Sequence, residues 1–113
     1  MEFEAMLKAL GEPMRLKIYQ ALLGRKHCVR SLSQKLGISE SAVSQHIKVM
    51  KDVGLVYGEK YGYHTHYLPS QEAIDYLAAQ FEKMRAASAV VSCDAGVCQC
   101  EYRKEDEKNE PVA

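Results

Sequence analysis

The sequence predicts a mainly α-helical domain of the α+β class, with five helices and one two-stranded β-hairpin. Apolar residues recur at intervals of three and four in successive segments, which is the period of an amphipathic helix. After Gly54 the pattern changes to short β-prone runs. The 113 residues, 47% of them apolar, are enough for one globular domain and not comfortably for two.

Glycine and proline delimit the first two predicted helices. The first helix ends at Gly11 and carries an apolar stripe made of Phe3, Met6, Leu7 and Leu10. Pro13 suits the first position of the second helix, because its missing N–H would be unpaired there in any case. This helix extends to Gly24 and carries Leu16, Ile18, Tyr19, Leu22 and Leu23.

The third and fourth helices follow closely. The third is predicted over about Val29–Leu36 and stops at Gly37. Ser39 is a suitable N-cap for the fourth, which ends at Gly54. The apolar face of the fourth helix consists of Val43, Ile47 and Met50.

A hairpin and a fifth helix complete the predicted domain. The strands are residues 55–57 and 63–67, and residues 60–62 form the turn between them. Pro69 and Ser70 start the fifth helix, in which intervals of three and four join Ile74, Leu77, Phe81, Met84 and Ser88. We assign residues 1–92 to the folded domain, 93–100 to a cysteine-rich segment and 101–113 to a disordered charged tail.

The composition argues against several classes of protein. Uncharged stretches such as Ala86–Cys93 are far shorter than the ~20 residues of a transmembrane helix. The acidic start of the chain is unlike a secretory or mitochondrial leader. We therefore expect a cytoplasmic protein with no membrane partner and with reduced cysteines. No nucleotide loop or pair of acids indicates an enzyme.

The net charge is zero, but the charges are unevenly placed. Residues 12–68 hold nine Lys and Arg against four acids, whereas residues 71–113 hold five against nine. A basic half is suited to a polyanion such as nucleic acid, although a face of this kind is often only a solvated surface.

Residues 32–47 have the spacing of a helix-turn-helix. Gly37 supplies the positive φ that the turn needs, and Ser33 is small where the two helices approach each other. Hydroxyl, amide and ammonium groups on the outward face of the second helix suit base edges and phosphates in a major groove. These groups belong to Ser41, Ser44, Gln45 and Lys48. An ordinary solvent face is the alternative, but the basic surplus and the hairpin, a candidate wing, favour DNA binding.

Three cysteines form a C-x4-C-x-C cluster at Cys93, Cys98 and Cys100. Three converging thiolates suit As(III), Sb(III) or Pb(II), and with a fourth ligand Cd(II) or Zn(II). Gly96 allows the chain to fold back so that the sulfurs meet. The alternatives are unrelated thiols, redox or persulfide chemistry, and, more remotely, a thiol enzyme or metal-carrier module. His64 and His66 share a strand face and are either surface residues or metal ligands.

Four motifs in order resemble the ArsR/SmtB family of winged-helix metal-sensing repressors. They are Leu10–Ile18 (LGEPMRLKI), His27–Leu32 (HCVRSL), Ser41–Met50 (SAVSQHIKVM) and Gly54–Val56 (GLV). The resemblance covers about residues 3–88. It implies a winged helix-turn-helix and a homodimer formed through the first and last helices. The fourth helix of each subunit would enter the major groove of an inverted-repeat operator.

The resemblance also implies roles for single residues. Ser41, Ser44, Gln45 and Lys48 become the DNA-reading residues. His46 takes the family's histidine position, where it either touches DNA or is partly buried. Arg30 is assigned to a phosphate, and Lys60, at a wing tip where the family often has arginine, is assigned to DNA binding.

This chain departs from the family at its metal sites. Arsenic-sensing relatives often begin the third helix with Cys-Val-Cys, whereas this chain has Cys28-Val29-Arg30. Cys28 is then a small buried residue or an added ligand. The Asp and His pairs of the family's zinc sites are absent from the last helix. The sequence thus predicts a repressor that releases DNA when a soft ion, As(III) as first choice, binds the three C-terminal thiolates.

Overall fold

The computed structural model describes residues 1–88. In chain order its elements are α1 (Phe3–Leu10), α2 (Pro13–Gly24), α3 (Val29–Leu36), α4 (Glu40–Asp52), β1 (Val56–Tyr61), β2 (His64–Pro69) and α5 (Gln71–Ala87). The prediction of five helices with a hairpin between the fourth and the fifth is confirmed. No helix in this part of the chain is long and apolar enough to span a bilayer.

Short-range capping explains where most of the helices begin. The Glu12 carboxylate accepts a hydrogen bond from the backbone N–H of Arg15 at 2.8 Å, and Ser39 Oγ accepts one from Ala42 at 3.1 Å. Ser70 caps α5 in the same way. The first helical residue there is Gln71, so the prediction that Pro69 starts the fifth helix is wrong. Pro69 is the last residue of β2, where it pairs with Val56.

The hairpin is longer than predicted, and its turn lies further along the chain. Strands β1 and β2 pair antiparallel from Val56↔Pro69 to Tyr61↔His64. This register leaves Gly62 and Tyr63 as the two-residue turn, and Gly62 has the φ of +61° that such a turn requires. The predicted turn at residues 60–62 is therefore correct at Gly62 and wrong at Lys60 and Tyr61, which continue β1.

The core lies among the helices and the start of β1. Its largest fully buried side chains are Met6, Ile18, Leu22, Leu32, Val43, Met50 and Leu55. Several apolar side chains of the predicted helical stripes are exposed in the single chain. These are Leu7, Leu16, Leu23, Phe81 and Met84.

Candidate nucleic-acid interface

The turn between α3 and α4 has the geometry of a helix-turn-helix. Gly37 adopts φ +69° and ψ +31° and donates its N–H to the Ser33 carbonyl at 2.9 Å, which ends α3. Ser33 also closes the turn, since its hydroxyl donates to the Ile38 carbonyl at 2.5 Å. Beneath the turn, Leu32 and Val43 are fully buried. Packing and hydrogen bonds together hold α4 at a defined angle to α3.

The outward face of α4 carries the polar side chains that the sequence singled out. Ser41, Ser44, Gln45 and Lys48 are all exposed, while Val43, Ile47 and Met50 of the same helix are buried. Lys48 Nζ lies 3.1 Å from Asp52 Oδ2, and the Lys48 side chain is 76% exposed. A pair this exposed contributes little stability, so the ammonium can exchange its partner for a phosphate. Contact of these four residues with DNA stays a prediction.

His46 lies on a different side of α4, next to the start of α2. Its side chain is only 24% exposed, and Nδ1 lies 3.9 Å from Glu12 Oε2. The Arg15 backbone N–H, with smaller contributions from the Met14 N–H and from His46, lowers the pKa of Glu12. A carboxylate therefore faces the imidazole, and this geometry favours the partly buried interpretation of His46 over DNA contact.

Arg30 and Lys60 are both exposed. Arg30 lines a shallow groove of about 440 Å³ between the start of α3 and the hairpin, together with Cys28, Glu40 and His64. Within residues 1–88, no three His, Cys, Asp or Glu side chains gather as a metal site. His64 is exposed, as the surface interpretation expects, whereas His66 is partly buried and lies against Tyr61, with 5.0 Å between the ring centroids.

Cys28 is the N-cap of α3. Its sulfur accepts a hydrogen bond from the Ser31 backbone N–H at 3.4 Å, and this bond is the main cause of the lowered pKa of the Cys28 thiol. The residue is half-buried and has a local structural role. The predicted ligands Cys93, Cys98 and Cys100 lie outside the described residues.

Sequence reasoning missed the loop between α2 and α3. Lys26 Nζ donates to the Tyr61 hydroxyl at 2.8 Å, and His27 forms a backbone bridge with Tyr67. His27 itself is only 6% exposed. In the sequence this loop is a short basic run that contributes to the charge surplus. No local pattern indicates that it pairs with a strand so far along the chain.

Comparison with known proteins identifies the family. Residues 12–57 match the model described as the bacterial regulatory protein, arsR family. The arsenical resistance operon repressor of Bacillus subtilis is 30% identical over 80 residues, which are 70% of this chain and 76% of that protein. The chain belongs to the ArsR family. The resemblance drawn from the four motifs is therefore confirmed, and the relatives are transcriptional regulators rather than enzymes.

Further similarities cover between 50% and 70% of this chain. The HTH-type transcriptional repressor SmtB of Mycobacterium tuberculosis is 39% identical over 57 residues, which are 50% of this chain and 42% of that repressor. This chain thus spans about half the length of several curated relatives that it matches. A solved structure described as a possible transcriptional regulator for arsenical resistance has a TM-score of 0.63 at 30% identity, covering 70% of this chain and 82% of that one. Reduced HlyU from Vibrio cholerae has a TM-score of 0.58 at 33% identity, covering 69% and 83%.

Proposed function

We propose that this ArsR-family chain is a dimeric cytoplasmic repressor that binds an inverted-repeat DNA operator through α4 and is released by a soft metal or metalloid ion. One observation carries the DNA-binding part. The four exposed polar side chains Ser41, Ser44, Gln45 and Lys48 share one face of a helix whose opposite face is buried. A rigidly held helix of this kind presents donors and acceptors to base edges.

Charge and fold support the same proposal. Arg30, Lys48, Lys51 and Lys60 are all exposed on α3, α4 and β1. Cationic side chains around a reading helix supply the phosphate contacts that fix its register on the duplex. His46 is assigned a supporting role, since it faces Glu12.

The dimer is proposed from apolar surface on the two terminal helices of the domain. On α5, Phe81 is 52% and Met84 55% exposed, and Leu7 of α1 is 38% exposed. Phe3 of α1 contacts the Phe81 ring edge-on at 5.6 Å between centroids, so the two helices form one continuous apolar surface. A second copy that covers this surface would remove it from water. The resulting two-fold symmetry presents two α4 helices, which matches an inverted repeat.

The release step is assigned to the segment that follows α5. We retain residues 1–92 as the DNA-binding and dimerisation domain, 93–100 as the ion-binding segment and 101–113 as a charged tail. Cys93, Cys98 and Cys100 supply three soft thiolates, for which As(III) is the first choice among Sb(III), Pb(II), Cd(II) and Zn(II). An ion bound there acts close to the end of a dimerisation helix. If it favours the DNA-free form, a coupling of ~1–3 kcal/mol lowers operator affinity about 5–150-fold.

The DNA-binding proposal is tested by selecting duplexes from a random pool with the reduced full-length chain. The selected duplex is then titrated against variants by fluorescence anisotropy. Loss of a bidentate base contact costs about 1–3 kcal/mol, so Gln45→Ala is expected to weaken binding at least fivefold. Gln20→Ala removes the same amide from an exposed position on α2 and serves as the control. Failure to enrich any duplex, or equal affinities for the two variants, would overturn this part.

The release proposal is tested on the same duplex under reducing conditions. Arsenite, antimonite, Pb(II), Cd(II) and Zn(II) are titrated separately into the complex. We expect arsenite to dissociate it and the single variants Cys93→Ser, Cys98→Ser and Cys100→Ser to resist. Dissociation only by an oxidant or polysulfide would replace the ion by a redox or persulfide signal. A response lost only in Cys28→Ser would refute the assigned site.

A further inference from the structure

We propose that Lys26 and Tyr61 form a latch that positions the β-hairpin, and that through the hairpin they set how Lys60 meets the DNA backbone. This inference rests on the proposed DNA binding. Lys26 Nζ donates a hydrogen bond to the Tyr61 hydroxyl at 2.8 Å and lies 4.0 Å from the centroid of the Tyr61 ring. One ammonium thus makes both a polar and a cation–π contact with one strand residue.

The loop that carries Lys26 is itself anchored in the domain. The neighbouring residue, His27, is 6% exposed, and its Nδ1 lies 3.0 Å from the Ser31 hydroxyl on α3. The backbone of His27 pairs with β2, since the Tyr67 N–H donates to the His27 carbonyl at 2.7 Å and the His27 N–H donates to the Tyr67 carbonyl at 3.4 Å. Residues 26–27 therefore hold both strands of the hairpin, one by a side chain and the other by the backbone.

The latch acts near the free end of the hairpin. Tyr61 belongs to the last pair of the ladder, Tyr61↔His64, directly before the turn. A two-stranded hairpin is at best marginally stable by itself, so its distal end depends on contacts with the rest of the domain. Tyr61 also contacts the His66 ring. The hydrogen bond to Tyr61 also raises the pKa of Lys26, because it stabilises the charged ammonium.

Strand geometry connects the latch to Lys60. Successive side chains of a strand point to opposite faces, so Tyr61 directed towards Lys26 turns Lys60 to the other face. Lys60 pairs with Thr65, and paired side chains share a face. Thr65 lines the groove that contains Arg30, and so does His64, the partner of Tyr61 at the end of the hairpin. The groove therefore borders this end of the hairpin, and the latch, by fixing that end, sets where Lys60 lies relative to Arg30, so that both cations can meet one phosphate backbone.

The test uses Tyr61→Phe, which deletes only the hydroxyl, with Tyr63→Phe as the matched control, because the Tyr63 side chain is fully exposed at the turn. Hydrogen exchange of the full-length chain is measured without DNA. We expect faster exchange at the hairpin amides in Tyr61→Phe, unchanged exchange in α3, and no change in Tyr63→Phe. Unchanged hairpin exchange in Tyr61→Phe would overturn the latch whatever the chain does with DNA.

DNA-binding measurements distinguish a latch that positions Lys60 from one that only stabilises the hairpin. On the selected duplex, Tyr61→Phe is expected to weaken binding about two- to tenfold, the range of one net hydrogen bond, because the ring and its cation–π contact with Lys26 remain. Although this substitution changes no charge, it should lower the magnitude of the salt slope by up to about 0.9, the value of one lost phosphate contact. Lys60→Gln should then have little further effect in the Tyr61→Phe background. An unchanged slope, or a full Lys60→Gln effect in that background, would refute positioning of Lys60.

Lys26 is tested with a double-mutant cycle. If Lys26 acts through Tyr61, the loss in Lys26→Met with Tyr61→Phe will be smaller than the product of the two single losses, and Lys26→Arg will retain part of the wild-type affinity. Multiplicative losses would make Lys26 an independent phosphate contact and overturn the latch. If the wild-type chain enriches no duplex while Tyr61→Phe still accelerates exchange, the proposed function and the DNA role fail, and the attachment of the hairpin remains.

Discussion

Gly37, at the turn of the helix-turn-helix, gives the sharpest test of how the sequence specifies this fold. Its φ of +69° lies in the left-handed region, where a Cβ crowds the following carbonyl. We expect Gly37→Ala to destabilise the domain. A Cβ built on Gly37 meets no atom within 4 Å, so the cost comes from the backbone conformation alone.

The magnitude follows from two opposing terms. Placing alanine in the left-handed region costs about 1–2 kcal/mol. Alanine also restricts the unfolded chain more than glycine does, which raises the free energy of unfolding by about 0.4–1 kcal/mol. Gly24 isolates the second term, because it is the last residue of α2, lacks a positive φ and has no atom within 4 Å of a built Cβ. Gly24→Ala should therefore stabilise the domain slightly, and the two variants should differ by about 1.5 kcal/mol, the mid-range left-handed cost.

The assay is thermal unfolding of both variants followed by circular dichroism at one protein concentration, since a dimer melts in a concentration-dependent way. A difference of this size separates the two Tm values by roughly 6–12 °C. Gly37→Asn should fall between wild type and Gly37→Ala, because asparagine tolerates the left-handed region better. Equal Tm values for Gly37→Ala and Gly24→Ala would refute the conformational argument.

Three further predictions concern the hairpin and the start of α3. Cys28→Ser is expected to raise the free energy of unfolding and Cys28→Ala to lower it by about 0.5 kcal/mol, because hydroxyls cap helices well and alanine does not; equal thermal melts of the two reduced variants would contradict the cap. Burial lowers the pKa of His27 below 6.5, so stability should be constant above about pH 6.5 and fall as the pH drops towards the folded-state pKa. Urea titrations at several pH values measure how the free energy of unfolding changes with pH. This dependence should be weaker in His27→Asn, and an unchanged dependence would mean that another group causes it. Gly58→Ala places a Cβ 2.9 Å from Thr65 Cγ2, which costs about 1–3 kcal/mol by overpacking. Thr65→Ser removes that methyl and should restore much of the stability in urea unfolding, and no restoration would rule out this clash.

Local chemistry accounts for the elements that were predicted well. The bounds of α1, α2 and α3 agree with the sequence prediction, because Gly11, Pro13 and Gly37 act on residues within one turn of themselves. The apolar period of α4 likewise placed Val43, Ile47 and Met50 in the core.

The hairpin shows why other elements were predicted less well. Its register is a property of two strands, and neither strand contains that information alone. Propensity placed a turn at residues 60–62, whereas cross-strand pairing extends β1 through Tyr61 and leaves the turn to Gly62 and Tyr63. A similar limit applies to Phe81 and Met84, whose period marks an apolar face without indicating what covers it.

The sequence by itself determined the helical segments, the helix-turn-helix and the polar face of α4, since each depends on residues a few positions apart. Only the tertiary structure decided that His46 faces Glu12 and that Lys26 reaches Tyr61, 35 positions along the chain. The physical reason is that such contacts depend on how the packed elements approach one another in space. Helical period and strand propensity describe only neighbouring residues, so they do not predict which distant side chains meet.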